Sequence, residues 1–193
     1  MKKFLNTKSI VITGLLLALE IILQIIGNYL QIGIVNINLS LVPVVLAGIL
    51  CGPFSAAILG FFNGIIVLFS PSTLAVFMPI SPLGTVLVCL LKCTIAGILS
   101  ALVFMLFEKK LPLVGLILAS LVVPIVNTGL FVAGCFIFFQ DFLNAGVSET
   151  FPNVGAFLIF GVIGWNFIFE VAFTLILSTM IGAILLKREE FLK

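Results

Sequence analysis

An all-α membrane protein of six transmembrane helices, a compact bundle with both termini cytoplasmic and a cavity facing outward, is the fold class predicted by three features of this sequence. Apolar segments of membrane-crossing length recur along the chain. Charged residues are scarce and nearly all lie between those segments, and the polar residues left inside them fall at similar depths. Of the 193 residues, 63% are hydrophobic and 8% charged, where an ordinary soluble domain carries about 25% charged residues. This excludes a soluble enzyme, and no basic or acidic tract is long enough to bind nucleic acid.

The apolar segments are Ser9–Asn28, Asn38–Leu50, Pro53–Phe69, Pro82–Phe107, Leu113–Phe139 and Ala156–Leu186. Together they are read as one integral membrane domain, 1–193. The first follows Lys2, Lys3 and Lys8, as a signal peptide would. Its apolar run continues to Ile26 with Glu20 and Gln24 inside it and no small-residue cleavage pattern after it, so it is read as a membrane helix. The second and third segments are separated only by Cys51-Gly52, and on hydropathy alone Leu39 to Phe69 could be one helix.

Charge parity decides between one pass and two. Eight of the nine Lys and Arg residues cluster in three places: Lys2, Lys3 and Lys8; Lys109 and Lys110; and Lys187, Arg188 and Lys193. The positive-inside rule places all three clusters in the cytoplasm. An even number of crossings must then separate the first from the second, so the chain is expected to turn at Gly52-Pro53, where a helix breaks readily. The opposite connections, Tyr29–Ile37, Ser70–Ser81 and Gln140–Gly155, carry no Lys or Arg and are long enough to fold over a cavity. No internal repeat is evident, which argues against a transporter of two duplicated halves.

The ninth cation, Lys92, lies inside the fourth segment. A charge at the bilayer centre costs about 2.5–3.5 kcal/mol on insertion scales and needs a reason. Counted from the outer ends of their helices, Lys92 and Asn166 lie roughly 15 Å deep, Asn127 about 18 Å and Glu170 about 21 Å. Asn166 and Glu170, four apart, share a helix face, as do Glu20 and Gln24. Asn63 lies in the outer half of the third segment. With Trp165 beside Asn166 and Phe131 one turn from Asn127, these residues suit a cavity with aromatic walls and a few placed polar groups. The candidate binding set is therefore Asn63, Lys92, Asn127, Phe131, Trp165, Asn166 and Glu170. The competing reading is a structural Lys92–Glu170 ion pair with amides joining helices, and the sequence leaves both open.

Histidine is absent, and Cys51, Cys89, Cys93 and Cys135 show no CxxC spacing. No metal or cofactor is expected. With no buried Asp and no serine paired to a base, an intramembrane enzyme has little to work with.

In its six segments, the break "LCGPFSAAILGFFNG", the long first and third outer loops and the polar positions on segments four to six, the chain resembles the substrate-binding S component of energy-coupling factor (ECF) vitamin transporters. The resemblance covers nearly the whole chain. It implies a non-enzymatic subunit that captures a vitamin from outside and topples in the membrane to release it inward. The implied partners are a membrane-embedded T component and, through it, two cytoplasmic ATPases. Such members carry small-xxx-small on the first helix where the T component docks, and Gly14-Leu-Leu-Leu-Ala18 stands at that place, with glycine where alanine is usual. The chain has no GxxxxGK[ST] motif of its own. Riboflavin-binding members are similar in the asparagine matched by Asn127, but they have lysine one turn after the asparagine matched by Asn166, where this chain has Phe169 and Glu170. A carboxylate vitamin could use Lys92 and a cationic one Glu170. The alternative function is a small ion-coupled carrier or channel relaying charge through Lys92 and Glu170.

Overall fold

The computed structural model describes residues 7–29 and 37–191, with side chains through Lys187. Lys2, Lys3, Lys193, the side chain of Arg188 and most of the first outer connection fall outside the described residues. The described elements are α1 (Thr7–Tyr29), α2 (Leu41–Cys51), α3 (Pro53–Leu68), a π-helical turn (Thr73–Phe77), α4 (Pro82–Phe107), α5 (Pro112–Phe138), α6 (Gln140–Ala145), α7 (Val154–Ala156), a π-helical stretch (Phe157–Ile163) and α8 (Gly164–Phe191). Helix starts carry local signals. Pro53, Pro82 and Pro112 sit in first turns, where a missing N–H costs nothing. Ser81 Oγ accepts the Gly84 N–H, and Asn153 Oδ1 accepts that of Ala156.

Among the described residues, four runs are long and apolar enough to cross a bilayer: Thr7–Tyr29, Pro82–Phe107, Pro112–Phe138 and Val154–Lys187. The second and third expected segments form shorter apolar helices. At 1.5 Å per residue α2 spans roughly 16 Å and α3 about 24 Å, against a hydrocarbon core of about 30 Å. They meet at Gly52, whose φ of 93° ends α2 in a conformation that favours glycine. Beyond that break the chain doubles back. Asn63, near the end of α3, donates to Ser40 at the start of α2, so the two helices run antiparallel.

The composition of α2 explains its place. Every residue from Leu41 to Ile49 is buried, as befits a helix apolar on all sides. Leu41, Val45 and Ile49 pack with Ala96, Leu116 and Val123 of α4 and α5. Val42, Val44 and Leu46 pack with Leu16 of α1, Leu59 of α3 and the Phe173–Leu177 face of α8. α2 is thus the axis around which the longer helices are arranged.

Close backbone approach joins α3 to α4. A Cβ on Gly64 would lie 2.6 Å from the Cys89 carbonyl oxygen, and one on Gly97 2.7 Å from that of Ala56. Gly60 similarly faces the Cys93 carbonyl. The small-xxx-small seam that works inside the bundle is therefore Gly60–Gly64. Gly14 and Ala18 lie on an exposed face of α1, and a Cβ on Gly14 would meet nothing within 4 Å.

The connections Ser70–Ser81 and Gln140–Gly155 are folded. Phe77 of the π-helical turn packs edge-on to Phe131, Phe139 and Phe142, at ring separations of 5.5, 5.2 and 5.3 Å. Leu143 of α6 and Phe157, Leu158 and Val162 of the second π-helical stretch complete an apolar cluster. The sixth expected segment, Ala156–Leu186, is not one continuous α-helix. It breaks at Gly164, where φ is 34°, between the π-helical stretch and α8.

Gly64→Ala should cost about 1–3 kcal/mol, because the added methyl meets backbone that cannot turn away. Gly129→Ala, on an open face of α5, should be neutral or slightly stabilising. Thermal unfolding of the two variants in detergent checks this; equal behaviour would refute the tight α3–α4 seam.

Candidate functional site

Polar side chains from six parts of the chain meet in the bundle, and one amide organises them. Asn63 of α3 is fully buried. Its Nδ2 donates to Ser40 Oγ, whose hydroxyl donates to Gln24 Oε1 of α1 at 2.8 Å. Its Oδ1 accepts Asn38 Nδ2 at 3.2 Å. The Cys93 thiol of α4 lies between two amide acceptors, 3.2 Å from Asn63 Oδ1 and 3.3 Å from Asn127 Oδ1 of α5. The Asn38 backbone N–H donates to Glu170 Oε1 of α8 at 2.8 Å. This chain of bonds links α1, the start of α2, α3, α4, α5 and α8. Glu20 is fully buried beside Asn63, one turn along α1 from Gln24.

A cavity lies against this network. Gln24, Asn38, Lys92, Asn127 and Glu170 form its polar side, Val88, Phe131 and Phe139 its apolar side, and Ser70, Ser72, Thr73 and Phe77 of the second outer connection border it. It holds about 540 Å³ of space, part of it continuous with the outside. A second recess, lined by Thr128, Val162, Asn166 and Phe167, shares Lys92, Asn127, Phe131 and Glu170 with the first. These four residues form a common wall.

Lys92 and Glu170 do not pair. The Lys92 ammonium stands 5.1 Å from the centroid of the Phe131 ring, a cation–π contact worth up to about 2 kcal/mol when desolvated. Glu170 is held by the Asn38 amide. No ion pair within 4.0 Å joins the two. Both residues are largely buried and both border the cavity, an arrangement open to exchange with a bound molecule.

Five of the residues expected to bind, Lys92, Asn127, Phe131, Asn166 and Glu170, line these recesses. Two do not. Asn63 sits behind the cavity wall with its amide committed to other side chains. Trp165 is 64% exposed and lines neither recess. On α8 it is rotated about 100° from Asn166, so the turn that aims Asn166 inward aims Trp165 out of the bundle.

Sequence reasoning missed Asn38, Thr73, Phe77 and Phe139. Asn38 was placed only at the edge of a segment, and Phe139 was one of 20 phenylalanines. The Ser70-Pro-Ser-Thr73 run was a usable signal, since a hydroxyl cluster at a helix end faces either water or a site.

The family described as ECF transporter, substrate-specific component, matches residues 8–182. No curated protein and no solved structure matches the chain.

Asn63→Ala should destabilise the protein by about 1–3 kcal/mol, because it strands Asn38, Ser40 and Cys93 in a buried site. Trp165→Ala should leave stability within about 0.5 kcal/mol, as for other surface changes. Unfolding midpoints of the two variants test the assignment, and a larger loss at Trp165 than at Asn63 would reverse it.

Proposed function

Because the chain belongs to the family of ECF transporter substrate-specific components, we propose that it captures a vitamin or related micronutrient from outside in the cavity walled by Lys92, Asn127, Phe131 and Glu170. The substrate-specific components are substrate-binding transport subunits and not enzymes, and the protein is a multi-pass cell-membrane protein. The observation that carries the proposal is the convergence of charged, amide and aromatic side chains from α4, α5 and α8 on one cavity beneath the packed outer connections.

In this reading the chain is a single membrane domain crossing six times with both ends cytoplasmic. α2 and α3 make the second and third crossings as an antiparallel hairpin. Its short helices are tolerated because α2 is surrounded by protein, and non-helical backbone at membrane depth is tolerated where protein and not lipid covers it. Phe77, Phe139 and the hydroxyls of Ser70–Thr73 border the outer part of the cavity and would meet an arriving ligand first.

The partner surface is the open face of α1. Gly14 and Ala18 lie on it among Ile10, Val11, Leu15, Ile22 and Ile25, all more than half exposed except Ala18 and Gly14, whose small side chains leave room for another helix. A membrane-embedded T component packing there, coupled to two cytoplasmic ATPases, supplies the energy for uptake.

Denaturing the protein purified from cells grown in rich medium should release one vitamin-like compound near one equivalent, read by mass spectrometry. A folded but empty protein whose uptake follows an ion gradient would favour the ion-coupled carrier. Gly14→Leu should abolish uptake by cells containing the whole transporter while leaving binding by the purified subunit within about twofold, since nothing inside the bundle contacts that position. Lost binding would make this face of α1 part of the core.

A further inference from the structure

Resting on the capture reading above, we propose that the molecule taken up carries a carboxylate that docks on Lys92, and that Glu170 is a positioning residue for the Asn38 backbone. The two buried charges look equivalent in the sequence, and their surroundings separate them. Glu170 already accepts the Asn38 N–H at 2.8 Å. Lys92 is 8% exposed. Its ammonium rests on a phenylalanine ring and meets no oxygen acceptor among the described residues. The titratable groups that act on it are the thiols of Cys89, Cys93 and Cys135 and the carboxylate of Glu170. The Cys93 thiol is directed to Asn63 and Asn127.

Burying an ammonium without an anionic partner is costly, and a partner that brings the missing charge recovers that cost on binding. The cavity therefore favours an anion at Lys92. It also limits which anion. Among the described residues Lys92 is the one cation lining the cavity, and Glu170 borders it too. A carboxylate matches the single positive charge. A phosphate near −2 at neutral pH would meet Glu170 with its excess charge uncompensated. The apolar side formed by Val88, Phe131 and Phe139 receives an apolar body.

The test is equilibrium binding to purified protein in detergent with matched pairs differing at one group: pantothenate and pantothenol, biotin and biotinamide, nicotinate and nicotinamide, with flavin mononucleotide and riboflavin as the phosphate pair. One carboxylate should bind at least about 10-fold tighter than its neutral partner. That gap should persist in Lys92→Arg and close in Lys92→Gln, with a loss of roughly 10- to 100-fold for the acid. Glu170→Gln should bind the acid more tightly than the wild type, because the amide oxygen still accepts the Asn38 N–H and a like charge is gone.

A neutral partner that binds as well as its acid, a preference for the phosphate, a gap that survives Lys92→Gln, or loss of the acid in Glu170→Gln would each overturn the proposal. If Lys92→Gln fails to fold, the wild-type comparison and Glu170→Gln decide. If no probe binds and denaturation releases a neutral or cationic compound, the carboxylate assignment fails while the capture reading stands. If it releases an acid outside the panel, that acid and its methyl ester become the deciding pair. If no probe binds and nothing is released, the capture reading itself has failed.

Discussion

The constraint on which the structure depends is that polar side chains inside an apolar bundle must find partners there. Asn63 meets it with both ends of its amide, giving a proton to Ser40 and taking bonds from Asn38 and Cys93. Such bonds between membrane helices are individually modest, on the order of 0.6–2 kcal/mol. Their placement matters more than their sum. They fix the rotation of α1, α3, α4 and α5 about their axes and the start of α2 against α8. Rotation fixed in this way aims Lys92, Asn127 and Glu170 at a common space.

Around that polar centre the apolar packing divides into functional zones. α2 is enclosed and carries no polar side chain between Leu41 and Ile49, so it serves as a rigid axis. The α3–α4 seam is drawn in by Gly60, Gly64 and Gly97, which brings Cys93 within reach of both Asn63 and Asn127. The phenylalanine cluster of Phe77, Phe139 and Phe157 closes the outer end and supplies the aromatic wall. The departures from regular α-helix, at Thr73–Phe77 and at Phe157–Ile163, both lie in this outer zone. Such π-helical segments occur often at functional sites.

The site is asymmetric in charge as well as shape. Glu170 is spoken for by backbone, and Lys92 rests on the face of a ring. A direct ion pair would have closed the cavity's polar wall on itself. Because the two charges are held apart, the wall can bind a third party, which is what a capture subunit requires.

The sequence by itself determined the membrane class, the break at Gly52, the shared faces of Asn166 with Glu170 and of Glu20 with Gln24, and the family. Each follows from properties that neighbouring residues set together: the free energy of moving a segment from water to lipid, the freedom of a glycine, and the helical period. Tertiary structure alone decided that α2 is central, that Asn63 stands behind the wall and Trp165 outside it, that Phe77 and Phe139 complete it, and that Lys92 and Glu170 stay apart. Those outcomes depend on the depth and rotation of each helix against its neighbours. Contacts between residues far apart in the chain set both, such as Asn38 with Glu170 and Gly64 with Cys89, and no local pattern encodes them.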